Sequence, residues 1–510
     1  AGQVQQTVLQ APPREKRVAI IGGGAAGTSA AYWLNNAFPK DNKNHNIQVS
    51  TTIYEQNNYL GGRSTVVPIK DDPSLGLIEL GASIYIENNY NMMNATKKFN
   101  LERKRMVDDD NIKKKENNKN KKGLGIWDGK DFLFEETGND YWDTAKILWR
   151  YGYSAIKFKN HLKAIIDRFS EGVYNYNDFD PAFRNMGEAL SSFGLEGLVN
   201  KTAADYLEKL HGFSKKFVRE IIQTASRANY GQDVDSLHAF GALVSMAASG
   251  SWSTKGGNCQ IFEEFAKRSG ASIKLETSVL EIQNITVLDE SGRLVNRYLV
   301  LTEDSMELYD AVLVAAPLHS LDVELPFTTV LPAQREYHTV HVTMIAGIPD
   351  PSYFNRTEDT VPTMIVTTGA PLTENFHGSE QPFTTFAIHK HLNDTGESIV
   401  KMFSSKPMSD KLLDQLFHNR SWTLRKKWQA FPKLYPVVSS EKEEGWPSMI
   451  LDGFNKEEEE NGILYINAFE SCISTMETEL VASKNAVRFL REQWCEDTYC
   501  VPFYDGWGKE

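Results

Sequence analysis

Three glycines at fixed spacing carry the clearest chemistry in this chain. In the run Val18-Ala19-Ile20-Ile21-Gly22-Gly23-Gly24-Ala25-Ala26-Gly27, Gly22, Gly24 and Gly27 fill the glycine places of G-x-G-x-x-G. The first suits a tight turn, the second lets a pyrophosphate approach the backbone, and the third lets a helix touch the strand before it. Amides at the start of that helix, with the positive end of its dipole, then face the phosphates. An acid, Glu55, ends the next apolar run, where it can accept a hydrogen bond from a ribose 2′-hydroxyl. The interval from Gly27 exceeds the usual roughly 20 residues, and the polar 41–46 loop accounts for the excess. In Leu60-Gly61-Gly62-Arg63, Gly62 lets the chain pass close to a bound group and Arg63 offers a cation to pyrophosphate. Ile78–Ser83 reads as a strand ending in small residues, and Gly81 and Ala82 leave its backbone open to a flat ring.

The elements that must hold these residues follow from the hydrophobic pattern. Val18–Ile21 reads as a buried parallel strand, and the small residues after Gly24 suit a helix packed closely on a sheet. Residues 1–16 are polar, contain Pro12-Pro13, and are expected to be a flexible leader. Lys113–Lys122 is basic and Asn-rich without interleaved aromatics, which predicts a solvated loop. From Tyr141 to about Ala228 the spacing turns helical, with Ile147, Leu148, Tyr151, Ala155 and Phe158 on one expected stripe. Such a block suits a cap over a substrate cavity. Ile273–Ile282 and Asp310–Ala316 return to strand character, and Pro317 stops the second. Short β-rich runs between 335 and 435 predict a mainly antiparallel sheet. Gly462–Ala468 predicts a strand, followed by a helix over 477–494. The fold class is therefore α/β, a Rossmann-like nucleotide domain assembled from discontinuous segments. A mixed α+β substrate domain, made of a helical insertion and an antiparallel sheet, accompanies it. The expected division gives 17–95, 250–320 and 455–510 to the nucleotide domain, and 96–249 and 321–454 to the substrate domain.

Composition narrows the partners and the compartment. A chain of 510 residues has ample core for two domains, and a net charge of −12 gives no reason to expect nucleic acid. Six N-x-S/T sequons, at Asn94, Asn200, Asn284, Asn355, Asn393 and Asn419, raise the expectation of secretion. Cys495 and Cys500 flank a short segment that a disulfide could close, whereas Cys259 and Cys472 read as buried thiols; no structural zinc site is implied. His319, His389 and His391 read as surface or packed residues, so no catalytic base is assigned.

The order of features resembles the flavin amine-oxidase superfold: glycine fingerprint, acid, Gly-Gly-Arg, helical insertion, sheet insertion, and C-terminal strand and helix. Within it the chain is similar to the prenylcysteine oxidase (prenylcysteine lyase) family. The stretches that carry this are Ile21–Tyr32, Trp149–Gly152, Asn229-Tyr230-Gly231-Gln232, Ser251-Trp252, Gly256-Gly257-Asn258, Val314–Leu318 and Tyr465–Asn485. The resemblance implies non-covalent FAD. Gly22, Gly24, Gly27, Glu55, Gly62 and Arg63 would hold its adenosine diphosphate half. Val279 would meet adenine through its backbone, and Gly81 and Ala82 would lie beside the flavin. Glu470 and Met476 would bring the C-terminal helix to pyrophosphate and ring, although Asn467-Ala468-Phe469-Glu470 replaces the acidic-Gly pair typical of amine oxidases. The implied reaction moves a hydride from the carbon beside a thioether sulfur to the flavin; water and O2 then give cysteine, a prenyl aldehyde and H2O2. Tyr230 and Trp252 would supply aromatic walls for the lipid. The implied partners are a small lipophilic thioether and O2, with peripheral membrane contact for lipid uptake and passage through the secretory pathway to the exterior or a lysosome or vacuole. An amine or polyamine oxidase, a flavoenzyme acting on another thioether or lipid, and a lipid carrier without turnover are the alternative readings.

Overall fold

In the computed structural model the described residues are 14–39, 46–105, 123–175, 181–248, 250–289, 292–332, 335–356, 361–369, 381–437, 445–454, 460–495 and 500–508. The expected leader over 1–13, most of the 41–46 loop and the Lys-rich run lie outside them. Residues 14–16 do not belong to a leader: Arg14–Ile21 is one continuous strand, with Arg14 in register with Ile47.

That strand is central to a six-stranded sheet ordered Ile450–Gly453, Gly462–Tyr465, Ala311–Val314, Arg14–Ile21, Ile47–Tyr54, Ser272–Lys274. Every pairing is parallel except the one between Ile450–Gly453 and Gly462–Tyr465. Val18, Ala19 and Ile20 are fully buried because helices cover the sheet, which is why this strand reads as an unbroken apolar run. The sheet also takes in Ile450–Gly453, which lies upstream of the expected boundary at 455. The helix Ala25–Ala37 packs on the C-terminal helix Met476–Trp494. Their close contact is marked by a 2.7 Å hydrogen bond between the Ser29 and Ser483 hydroxyls, and the Trp33 indole donates to Leu480 O and Ser483 Oγ.

The predicted strand over 273–282 is two strands. Ser272–Lys274 pairs with Ile47–Tyr54, whereas Val279–Leu288 opens an antiparallel meander with Leu294–Thr302 and Met306–Tyr309. The break falls at Glu276, whose φ of 51° turns the chain out of extended geometry.

A seven-stranded sheet forms the second layer, ordered Phe417–Pro432, Tyr337–Pro349, Ser398–Ser404, Thr385–His391, Met364–Thr367, Leu124–Trp127, Phe132–Glu135. It is antiparallel except where Met364–Thr367 runs parallel to Leu124–Trp127. The helical block begins with Asp140–Tyr151, whose start is capped by Asn139 accepting from the amides of Tyr141 and Trp142. Gly152, at φ 63°, ends it, and Ser154–Phe169 follows in a new direction. The expected single stripe is therefore split: Tyr151 and Phe158 are buried, but Leu148 faces outward.

Candidate active site

A cavity of about 2420 Å³ runs between the two sheets and under the helical block. It exceeds the roughly 300–1,000 Å³ of a single-ligand pocket by more than twofold, enough for a dinucleotide and a second molecule together.

Its first end is the glycine turn. Gly22 and Gly24 line it, and Gly27 does not: a Cβ at Gly27 would stand 1.9 Å from Gly22 O, so this glycine serves the contact of helix on strand. At Gly24 a Cβ would meet nothing nearer than 3.9 Å, so that backbone is open to the cavity. Gly61 donates its amide to Gly23 O (2.9 Å), which ties the Gly-Gly-Arg turn to the fingerprint and puts Gly62 on the cavity wall. Glu55 lies beneath this junction. Its Oε2 accepts from the Gly23 amide (2.8 Å) and its Oε1 accepts from the Asn57 amide and side chain. The acid thus braces the turn it was expected to accompany, while remaining on the cavity wall with Val279.

The middle of the cavity is built around one buried charge pair. The Arg63 guanidinium donates to Glu470 and to Ala430 O, and the Tyr337 hydroxyl donates to Glu470 Oε2 (2.9 Å). Burial disfavours the Arg63 charge, but Glu470 more than offsets this and the guanidinium holds its proton more firmly than usual. Burial, then Glu470, pushes the Tyr337 hydroxyl upward. Arg63 therefore meets the cavity already paired with an acid, not as the lone cation the sequence suggested. Ser474, Thr475 and Met476 bring the N-terminus of the C-terminal helix to the same wall.

Gly81 and Ala82 line the next stretch, held by a clamp that explains Gly-Gly-Asn. Asn258 Nδ2 donates to Ala82 O (2.8 Å), its Oδ1 accepts from the Thr254 amide (2.8 Å), and its own amide donates to Glu79 Oε1 (2.6 Å). Opposite stands Lys401, whose ammonium donates to Glu79 O (2.7 Å) and Ser83 Oγ (2.9 Å), gripping the strand on both sides of Gly81-Ala82. Burial pulls Lys401 down to about 8 against the pull of Glu79, and burial pushes Glu79 up to about 7. His389, beside Lys401 and Lys104, is driven down to about 3 by burial first and by those cations second. Lys401 belongs to no motif; its one signal in the sequence is a lone charge inside Ser398-Ile399-Val400-Lys401-Met402-Phe403.

The far end is apolar, lined by Val340, Val342, Ile388, Phe403 and Phe431. Tyr230 is on this wall, its ring edge-to-face with Phe431 and its hydroxyl donating to Ser474 O (3.3 Å). Trp252 is a correction: it is not among the cavity-lining residues, and the Arg103 and Arg105 guanidinium groups both lie over its indole, 5.3 and 4.7 Å from the ring centroid. The strand Trp252–Thr254 pairs with Arg103–Arg105, and this turns the ring to that side. His319, His389 and His391, read from sequence as ordinary residues, all line the cavity. Cys472 is fully buried away from it, its thiol pushed up to about 12 by burial, which offers no route to a covalent cofactor link. Cys495 and Cys500 are bonded to each other, and Cys259 and Cys472 are free and buried.

These residues fit a dinucleotide of the FAD type. Two glycine turns are open to the cavity at one end, and a helix N-terminus faces it at the middle. Along the wall, Ser64 Oγ, Trp428 Nε1, Asn467 Oδ1 and Glu479 Oε1 are buried with no hydrogen-bond partner among the described residues, as a polar occupant would require.

Known proteins give the same picture. The fold is like that of cyclohexylamine oxidase from Brevibacterium oxydans IH-35A, with a TM-score of 0.57 at 15% identity over 94% of this chain and 99% of that one. Residues 20–99 match an NAD(P)-binding Rossmann-like domain. In sequence, farnesylcysteine lyase of Arabidopsis thaliana is 29% identical over 93% of this chain and 87% of that protein. Prenylcysteine oxidase 1 of Pongo abelii is 28% identical over 96% and 91%. The prenylcysteine lyase family model matches residues 134–501, which takes in the helical block, most of the second sheet and the C-terminal helix, and the chain belongs to that family.

Proposed function

We propose that the chain is an FAD-dependent thioether oxidase that converts an S-prenylcysteine, O2 and water into cysteine, a prenyl aldehyde and H2O2. The observation that carries this reading is one continuous cavity with a dinucleotide cradle at one end and an apolar chamber at the other. When bound, FAD supplies a two-electron acceptor that oxygen can regenerate. What the chain supplies is placement. Gly22, Gly24, Gly62 and the Glu55-braced turn would hold the nucleotide half. Gly81 and Ala82, fixed by Asn258 and Lys401, present backbone where the ring would lie.

The chemistry asks little acid–base work of the protein, because sulfur lone pairs stabilise positive charge on the adjacent carbon. It asks for a dry channel and a fixed C–H bond. The apolar wall of Val340, Val342, Ile388, Tyr230 and Phe431 suits the first need. Lys104, Lys390 and Lys426 also line the cavity, together with Glu136 and Asp143, and offer cations to a substrate carboxylate.

The secretory pathway is the compartment we favour. Five of the six sequon asparagines are exposed, whereas Asn284 is half-buried and donates to Asp452 (3.2 Å). The Cys495–Cys500 bridge supports an oxidising environment.

The test is anaerobic titration with S-farnesylcysteine, spermine and benzylamine while the flavin absorbance is followed. Farnesylcysteine should bleach it, and in air release cysteine, farnesal and peroxide in equal amounts. S-methylcysteine should hardly react, because each buried CH₂ contributes roughly 0.8 kcal/mol. Faster bleaching by either amine would establish an amine oxidase, and binding of farnesyl compounds without bleaching a carrier.

A further inference from the structure

Two helices that wall the cavity also turn an apolar face to solvent. Tyr141, Trp142, Leu148 and Trp149 of Asp140–Tyr151, then Tyr153 and Ile156, are all exposed, Trp149 by 89% and Tyr141 by 76%. Tyr141, Leu148 and Trp149 stand at i, i+7 and i+8, one side of a helix. The other side is already used: Tyr151 is buried, and Asp143 and Ile147 line the cavity. This helix is therefore apolar on both faces, and only one face is accounted for by the fold. Six large apolar side chains are exposed within 16 residues, a concentration of the kind that marks an interaction site.

We propose that this patch is a docking surface for a membrane bearing anionic headgroups. Composition favours a bilayer over a protein partner. Tryptophan and tyrosine are the residues that settle at a membrane–water interface, and a surface helix with basic residues beside an aromatic face lies in that plane. Residues 140–163 contain five lysines and arginines; Arg150 is paired with Glu220 and Lys163 with Asp167, which leaves Lys146, Lys157 and Lys159 against Asp140 and Asp143, in a chain whose net charge is −12. The local charge is thus opposite in sign to the rest of the molecule and complementary to an anionic surface. Among the described residues no helix is long and apolar enough to cross a membrane. Cavity and patch share the helix Asp140–Tyr151 as a wall, about 10 Å thick. A lipid chain leaving the bilayer has one helix to pass. The use of this surface rests on the thioether reading, because a prenyl substrate resides in membranes; the surface itself does not.

The experiment is co-sedimentation of the full chain with phosphatidylcholine–phosphatidylserine vesicles and with phosphatidylcholine vesicles alone, without substrate. Either result therefore stands whether or not farnesylcysteine is oxidised. The protein should pellet with the mixed vesicles, less with phosphatidylcholine, and less again at high salt. A variant carrying Trp142→Ser, Trp149→Ser and Tyr153→Ser should bind at least about tenfold more weakly, with an unchanged melting temperature because these side chains are exposed. Trp149→Ser alone should show an intermediate loss. Wild-type protein that stays in the supernatant, or a triple variant that pellets as well as wild type, would overturn the proposal. So would light scattering that shows a dimer, lost in the variant, with no vesicle binding, since the patch would then be covered by a second copy.

Discussion

The two roles of the glycine turn, one facing the cavity and one packing helix on strand, can be separated by one methyl group. Gly24 has φ −80° and ψ −163°, extended backbone that alanine adopts freely, and an added Cβ would meet nothing nearer than 3.9 Å. In the protein without cofactor, Gly24→Ala should change stability by no more than about 1 kcal/mol, a helix N-cap slightly weakened and the unfolded chain slightly restricted. The same methyl would fill the space through which a pyrophosphate reaches the amides at the head of Ala25–Ala37. Losing one or two charge-assisted hydrogen bonds there, at roughly 1.5–3 kcal/mol each, should weaken FAD retention by about 1.5–6 kcal/mol. Gly27→Ala should do the reverse. Its Cβ would lie 1.9 Å from Gly22 O and 3.1 Å from Ile20 Cγ2, and the oxygen is backbone that cannot swing away. The loss should be at least ~1–3 kcal/mol of fold stability, whether or not FAD is present. Urea unfolding of cofactor-free protein and titration with FAD, followed by flavin fluorescence, give the two numbers separately. Wild-type FAD affinity in Gly24→Ala, or wild-type stability in Gly27→Ala, would refute this division of labour.

Further outcomes follow from the charged groups. Glu79 has a folded pKa of about 7 against an unfolded 4.5, so the folded state holds its proton more tightly. Wild-type stability should fall as pH rises from below 5 through 7, by at most roughly 3 kcal/mol from this group. Glu79→Gln should flatten that fall in denaturation curves, and parallel pH profiles would count against it. Lys401 is charged below about pH 8. Lys401→Met should lower turnover by about tenfold or more, one hydrogen bond from a charged donor being worth ~1.5–3 kcal/mol. It should also erase any decline in rate as pH rises through 8, and a rate within twofold of wild type would show Lys401 to be structural padding. Replacing Cys495 and Cys500 by Ser together should cost ~2 kcal/mol in urea unfolding, the loop-closure value for so short a ring.

The nucleotide end of the cavity was legible because its constraints are local. A tight turn, a close backbone approach and an acid at a strand end each demand particular residue types within a few positions, and Gly22, Gly24, Glu55 and Gly62 all stand on the cavity wall. Arg63 stands on the same wall, but nothing near it in sequence points to its partner Glu470. Lys401 and Asn258 were out of reach as a pair, since they act from two elements on the same short strand, Leu77–Glu79 and the residues after it. Trp252 failed for a different reason. Aromatic character is compatible with either face of a strand, and only the pairing of Trp252–Thr254 with Arg103–Arg105 decides which face it takes. The exposed stripe on Asp140–Tyr151 has the same periodicity as a buried one, so spacing alone does not tell Leu148, which faces outward, from Tyr151, which is buried.

The Arg63–Glu470 pair also sets a schedule for the growing chain. Its two halves are 407 residues apart. At about 5–20 residues per second, a ribosome makes Arg63 roughly 20–80 s before the acid that neutralises it. Through that interval the first strands have no Gly462–Tyr465 neighbour, the fingerprint helix has no Met476–Trp494 to pack against, and the middle of the cofactor cavity has no wall. A nascent chain can shape the glycine turn early, but it cannot close around a dinucleotide until the last strand and helix arrive. Cofactor capture in this architecture is therefore a late event in folding, and the half-built sheet must be kept from pairing with other chains until then.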